Sequence, residues 1–181
     1  MKIAITGHGA GIGKTLYDSL IHDHEIIGFS LENGYDIGSE DVRQQVISLS
    51  ADTDVFINNA YHVIGQIDLL KKITHVWNEK NKIIINVSSK VVFSKDSNDP
   101  VDIKYIEAKK KLQQVVEDRN DSLPKIYNIL LGCVDTELSK TLNYPKLSTE
   151  AIADFIKYIL KNKDNIWIQE VILTSPDLEL L

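Results

Sequence analysis

Short apolar segments alternate with longer amphipathic segments along the chain. Six apolar runs rich in Ile and Val, most of them too short for helices, are predicted to be buried parallel strands: 3–6, 25–29, 54–57, 82–87, 125–131 and 165–173. The segments between them have helical spacing, at 13–22, 40–49, 67–77, 103–117 and 149–160. This alternation predicts an α/β fold, with helices on both faces of a doubly wound parallel sheet.

Composition restricts the classes of function. The 181 residues contain no repeat and no Pro/Gly-rich linker, so we expect a single domain over 1–181. No segment approaches the ~20 apolar residues that span a bilayer, and we expect no membrane partner. The one cysteine, Cys133, cannot form an internal disulfide, which suits a reducing, cytoplasmic location. The net charge of −6 argues against a nucleic-acid partner, and we assign no metal site.

A glycine-rich turn follows the first predicted strand and precedes the first predicted helix, in the sequence Thr6-Gly7-His8-Gly9-Ala10-Gly11-Ile12-Gly13. Glycine permits a tight turn whose N–H groups approach phosphate oxygens, and the helix N-terminus favours negative charge. The pattern predicts a Rossmann-like site for a dinucleotide pyrophosphate. We assign this site to Gly7, Gly11, Ile12 and Gly13.

A P-loop is the rival interpretation of the same turn, because Gly13-Lys14-Thr15 matches the end of that motif. A P-loop needs a glycine five positions before Gly13, where this chain has His8. No predicted strand ends in an acid placed to hold Mg²⁺. The P-loop therefore remains the weaker alternative.

The end of the second strand leaves the cofactor open as NAD or NADP. NAD-type sites often have Asp or Glu there, and NADP-type sites have Arg nearby. This chain has Ser30 and Glu32. Ser30 is a candidate to bond a ribose hydroxyl or a 2′-phosphate, and equally to cap the strand end, whereas Glu32 is a candidate to reach a ribose.

Tyr105 and Lys109 are spaced i, i+4 and therefore share one helix face. A phenol with a pKa of about 10 is a poor base, but a neighbouring ammonium favours its phenolate. Ser88 and Ser89 end the preceding strand, and ligands of open α/β sheets bind at the carboxyl ends of strands. A serine there can hold a substrate carbonyl by a hydrogen bond. Tyr105 is thus a candidate general acid/base for a carbonyl or alcohol.

With these motifs in order, the chain resembles the short-chain dehydrogenase/reductase family over nearly its whole length. The matching segments are Thr6–Gly13, Tyr35-Asp36-Ile37, Asn58-Asn59-Ala60, Val87-Ser88-Ser89, Tyr105-x-x-x-Lys109 and Leu131-Gly132-Cys133-Val134-Asp135-Thr136. The resemblance implies that cofactor contacts include Asp36, Ile37, Asn59, Ala60, Val134 and Thr136. It implies that Tyr105 is the general acid/base, that Lys109 binds the nicotinamide ribose and depresses the pKa of Tyr105, and that Ser89 orients the reacting oxygen.

The chain departs from the family pattern at several positions. Tyr61 stands where a glycine follows Asn-Asn-Ala, and Leu131 replaces a proline. If the segment after Ala60 aligns with the family's Asn-x-x-Gly, His62 replaces the asparagine of the catalytic tetrad. Only 137–146, with Tyr144, remains to form a substrate lid, so we expect a small or open pocket.

The leading hypothesis is an NAD(P)-dependent oxidoreductase that interconverts a small carbonyl compound and its alcohol. The departures motivate a second hypothesis, a cofactor-sensing or partner-binding module with little catalysis. The resemblance also implies a homo-oligomer built through the helices near 67–77 and 103–117. Substrate and reaction direction stay open.

Overall fold

A computed structural model describes residues 1–94, 103–119 and 122–177. The six strands are β1 (Lys2–Thr6), β2 (Glu25–Phe29), β3 (Val55–Asn58), β4 (Ile83–Ser89), β5 (Lys125–Leu131) and β6 (Glu170–Leu173). The five α-helices are α1 (Gly11–Leu20), α2 (Glu40–Ser50), α3 (Gly65–Val76), α4 (Ile103–Glu117) and α5 (Thr149–Asn162). Short 3-10 helices cover Leu31–Asn33, Lys90–Phe93 and Glu137–Ser139.

The strands form one parallel sheet in the order β2-β1-β3-β4-β5-β6. The chain first moves from β1 to one side and then crosses to β3 on the other side. Strand order therefore reverses at β1, and this reversal opens a crevice at the carboxyl ends of β1 and β3. The predicted doubly wound α/β fold is confirmed.

Each face of the sheet carries its own hydrophobic core. Ile3 and Ile5 of β1 join the core beneath α1 and α5, whereas Ala4 joins the core beneath α2, α3 and α4. Successive strand residues point to opposite faces, and both faces are covered, which explains why the strands are almost uniformly apolar. Within the described ranges, no helix is long and apolar enough to cross a membrane.

The ends of several elements differ from the predicted ones. The last strand begins at Glu170 because the residues before it are anchored by side chains: the Trp167 indole donates to Ile126 O at 2.9 Å, and the Tyr127 hydroxyl donates to Ile166 O at 2.9 Å. The Ser148 hydroxyl caps α5 by accepting the Ala151 N–H at 3.1 Å.

A row of buried asparagines crosses the sheet on the α3/α4 side. Asn58, Asn86 and Asn128 are in register on β3, β4 and β5, and none is exposed. Asn58 Nδ2 donates to Asn86 Oδ1 at 3.0 Å, and Asn86 Nδ2 donates to Asn128 Oδ1 at 2.8 Å. The Asn86 side chain therefore accepts a hydrogen bond from Asn58 on one side and donates one to Asn128 on the other.

Replacing Asn86 by leucine should destabilise the protein by about 2 to 4 kcal/mol, because an acceptor and a donor lose their partners inside the core. Urea unfolding measures the change. Asn81→Leu, in the exposed turn before β4, is the matched control and should have a much smaller effect. Equal stability of the two variants would contradict a structural role for the row.

Candidate cofactor and catalytic site

The glycine-rich turn lies at the carboxyl end of β1, where strand order reverses. Gly7 and Gly11 have φ of +73° and +50°, in the left-handed region that favours glycine. A Cβ on Gly13 would lie 2.0 Å from Gly7 O, so α1 begins in direct contact with the turn. Ile12, also assigned to the site, packs against the α1/α5 core. This bare-backbone turn at a helix N-terminus fits the pyrophosphate of a dinucleotide.

Thr6 and Asn59 hold the turn in place. The Thr6 hydroxyl accepts the N–H groups of Asn59 and Ala60, each at 3.0 Å, and donates to Ile57 O at 3.3 Å. Asn59 Nδ2 donates to Thr6 O at 3.0 Å. The structure therefore brings the Asn59-Ala60 pair together with the glycine turn, as the motifs require.

Ser30 and Glu32 lie beside the turn at the end of β2. Ser30 caps the 3-10 helix Leu31–Asn33 together with Asn33: its N–H donates to Asn33 Oδ1 at 2.8 Å, and its hydroxyl donates to the same oxygen at 3.4 Å. A Cβ on Gly9 would lie 2.7 Å from Glu32 Oε2. The Glu32 carboxylate thus sits against the turn, at the end where an adenosine ribose would lie.

Asp36 and Ile37 precede α2 and adjoin the start of α3, and they form a loop. Asp36 Oδ1 accepts the Gly38 N–H at 2.8 Å, and the residue is exposed. Ile37 is buried, and a Cβ on Gly65 would lie 2.3 Å from Ile37 O. Their contact with an adenine stays a prediction.

His62 caps α3. Its Nδ1 accepts the N–H groups of Ile64 at 3.3 Å and of Gly65 at 3.0 Å. These are among the N–H groups that a helix start leaves without intrahelical partners. The histidine side chain is therefore engaged by the backbone, and a different residue contacts the candidate lysine.

That residue is Gln66, which the sequence analysis did not single out. Lys109 is 4% exposed, and its Nζ donates to Gln66 Oε1 at 2.8 Å and to Val87 O at 3.4 Å. The same ammonium lies 5.4 Å from the ring centroid of Tyr61 and 5.5 Å from that of Tyr105. Burial lowers the pKa of Lys109 to about 7.

Tyr105 and Ser89 meet at the carboxyl end of β4. Burial raises the pKa of the Tyr105 phenol, and a side-chain hydrogen bond with Ser89 acts in the opposite direction. The Ser89 hydroxyl also donates to Leu131 O at 3.4 Å. The expected depression of the Tyr105 pKa by Lys109 is thus not what this arrangement produces, because burial has the larger effect. Tyr105 is a neutral phenol at neutral pH, the form that can donate a proton.

Tyr61 occupies space beside this pair. Its ring packs edge-on against Tyr105, with centroids 4.9 Å apart, while 45% of the residue stays exposed. A glycine at this position would leave the ammonium and the phenol more open. The departure from the family pattern therefore adds an aromatic wall to the site.

The segment after β5 closes the site from the other side. Thr136 Cγ2 would lie 3.3 Å from a Cβ on Gly11, which puts Thr136 against the glycine turn. Val134 packs against the α1/α5 core. The stretch 137–146 begins with the 3-10 helix Glu137–Ser139 and continues as a loop in which Tyr144 is exposed. Its base is tied where Leu147 N donates to Cys133 O at 2.8 Å.

The P-loop alternative requires a lysine side chain directed at the turn, and Lys14 is not placed in this way. The Lys14 side chain is 58% exposed and pairs with Asp18 one turn along α1, at 2.8 Å. A P-loop lysine must instead reach phosphates held in the turn. In the described part of the chain, no group of His, Cys, Asp or Glu side chains is placed to hold a metal ion.

Comparison with known proteins agrees with this geometry. The chain matches no protein-family model and no curated protein, but it matches many solved structures. A short-chain dehydrogenase from Burkholderia cenocepacia in complex with NADP is 19% identical, with a TM-score of 0.78 over 94% of this chain and 86% of that one. The chain has the short-chain dehydrogenase/reductase fold.

Two further structures have the same fold. A 3-alpha-hydroxysteroid dehydrogenase from a Pseudomonas species, complexed with NADH, is 14% identical, with a TM-score of 0.75 over 96% of this chain and 94% of that one. An alcohol dehydrogenase from the archaeon Thermococcus sibiricus, complexed with 5-hydroxy-NADP, is 16% identical, with a TM-score of 0.74 over 100% and 99% of the two chains.

The lowered pKa of Lys109 predicts a specific dependence of stability on pH. The unfolded chain binds this proton up to about pH 10.4, whereas the folded chain releases it near 7. Between those values the unfolded state binds more protons, so the free energy of unfolding rises with pH.

Relative to Lys109→Met, the wild-type protein should gain about 2 kcal/mol between pH 7 and pH 9. Urea unfolding of both proteins at the two pH values measures this difference, because contributions of other groups cancel. Parallel curves would show that Lys109 titrates at its ordinary pKa.

Proposed function

We propose that this protein is an NAD-dependent oxidoreductase that interconverts a small carbonyl compound and its alcohol. The observation that carries the proposal is the convergence of Ser89, Tyr105 and buried Lys109 at the carboxyl end of β4, in the fold whose first strand ends in the glycine turn. Three solved structures with this fold hold NADP, NADH or a derivative of NADP. Without that convergence, a likeness of fold would say little about chemistry.

The residues divide the work of carbonyl reduction. The N–H groups of the glycine turn bind the pyrophosphate, and Lys109 binds the nicotinamide ribose. When bound, the nicotinamide supplies the hydride. The Ser89 hydroxyl donates a hydrogen bond to the substrate oxygen, where negative charge develops. Tyr105 then donates its phenolic proton to that oxygen, and its raised pKa keeps the proton available at neutral pH.

Glu32 supports NAD as the cofactor form. A carboxylate beside the adenosine ribose can accept hydrogen bonds from both ribose hydroxyls, and it repels the 2′-phosphate of NADP.

NADH should bind at least about tenfold more tightly than NADPH, since like charges in close contact cost more than 1 kcal/mol. Fluorescence titration of the ligand-free protein measures both affinities. Glu32→Gln should bring the affinities for NADH and NADPH closer together. Glu25→Gln, at the opposite end of β2, should leave the ratio of the two affinities unchanged. Tighter binding of NADPH by the wild type would overturn the NAD assignment.

Tyr105→Phe should reduce the turnover of small aldehydes and ketones by about 10²–10⁴-fold, the contribution of a positioned general acid. NADH affinity should change little, because the ring and its contact with Tyr61 remain. Tyr158→Phe, on the exposed face of α5, is the matched control. Undiminished turnover would refute this role, and NADH binding without any turnover by the wild type would favour the sensing or partner-binding module.

A homo-oligomer formed through α3 and α4 is part of the proposal. Val63 and Ile64 at the start of α3 and Ile103 at the start of α4 are exposed apolar residues. Val63 and Ile64 line a groove between the two helices, together with Lys71 and Glu107. A cytoplasmic location likewise stays a prediction.

A further inference from the structure

The Gln66 amide is fixed in one orientation. Nε2 donates to Asn58 O at 3.1 Å and to Val87 O at 2.9 Å, so both of its hydrogens are used by the carboxyl ends of β3 and β4. Only Oε1 remains to face Lys109. Turning the amide over would lose both hydrogen bonds and direct an N–H group at an ammonium, so the acceptor is permanently presented to the lysine.

The backbone of Gln66 is equally constrained. Asn58 Nδ2 donates to Gln66 O at 3.1 Å, which makes the two residues a reciprocal pair of side chain and backbone. Asn58 is in turn bonded to Asn86 in the buried asparagine row. Gln66 is 2% exposed, and it lies in the first turn of α3, bonded to the ends of two strands.

The Lys109 ammonium contacts two neutral oxygens and two aromatic rings. The titratable groups that face its Nζ are the phenols of Tyr61 and Tyr105. In the ranges the structure describes, no carboxylate forms an ion pair with it, and burial is the cause that shifts its pKa. Two neutral oxygens, Gln66 Oε1 and Val87 O, therefore oppose the cost of burying the ammonium.

We propose that Gln66 is the positioning residue that keeps Lys109 charged and aligned beside Tyr105. The inference rests on the proposed function, since a charged Lys109 is what the ribose contact and the Tyr105 chemistry require. Gln66 acts by direct contact with Nζ, whereas the His62 ring is occupied by the start of α3.

The test is a pH titration of the Lys109 side chain in the ligand-free protein, followed by NMR of 13Cε- and 15Nζ-labelled lysine. Lys109→Met identifies the resonance. Gln66→Met removes the acceptor oxygen but keeps a side chain of similar length, and Gln66→Glu replaces the amide with a carboxylate. Gln45→Met, on the exposed surface of α2, is the matched control.

The titration midpoint of Lys109 should fall by about one pH unit or more in Gln66→Met, because a buried ammonium loses an acceptor. It should rise by about as much in Gln66→Glu, because an opposite charge favours the ammonium. Gln45→Met should leave it unchanged. Midpoints that stay at the wild-type value, or that move in one direction in both variants, would overturn the proposal. If Gln66→Met does not fold, Gln66→Glu decides alone.

Kinetics separate this inference from the proposed function. The alkaline limb of the rate–pH profile for carbonyl reduction should move to lower pH in Gln66→Met and to higher pH in Gln66→Glu. Opposite midpoint shifts without turnover of any carbonyl would uphold the role of Gln66 and refute the oxidoreductase. Turnover that needs Tyr105, with an unmoved Lys109 midpoint in both variants, would uphold the enzyme and refute the role of Gln66.

Discussion

Hydrogen bonds between buried amide groups join the carboxyl ends of β3 and β4 to the start of α3, and the site is arranged around these bonds. In the described part of the chain, Asn58 Oδ1 and Ser88 Oγ are the buried atoms at these strand ends that have no partner. Asn58 uses both hydrogens of its amide, on Gln66 O and on Asn86 Oδ1. Gln66 uses both of its own on backbone oxygens. An unmade bond at any of these positions would cost more than the net gain of making it, so the geometry around Lys109 is strongly specified.

The same buried surroundings lower the pKa of Lys109. An ammonium buried among neutral acceptors and two aromatic rings is only partly compensated, and its pKa falls to about 7. The same burial shifts the pKa of Tyr105 in the opposite direction, because the charged form of tyrosine is the deprotonated phenolate. Burial thus pushes the two pKa values apart, a pattern that is common at functional sites.

Local sequence patterns were sufficient to predict the sheet and the glycine turn. A buried parallel strand must be apolar on both faces, and a turn with positive φ at Gly7 and Gly11 needs glycine, so both features depend on residues close in the chain. The i, i+4 spacing likewise determined that Tyr105 and Lys109 share a helix face. The last strand was predicted five residues too long, because Trp167 and Tyr127 anchor the preceding segment by side-chain bonds that apolar content does not reveal.

Other features depended on contacts between distant residues. Gln66 reaches Lys109 across 43 positions of sequence, and its only local sign is a polar residue on the buried face of α3, beside Leu69, Leu70 and Ile73. The carboxylate of Glu32 is near Gly9 only because β2 pairs with β1.

By itself, the sequence determined the parallel α/β sheet, the glycine turn and the order of Ser89, Tyr105 and Lys109, because spacing and hydrophobic periodicity are local properties of the chain. Tertiary structure alone decided that Gln66 contacts the lysine, that His62 caps a helix, and that burial governs the ionisation of Lys109 and Tyr105. Hydrogen-bond partners and desolvation depend on which segments meet in space.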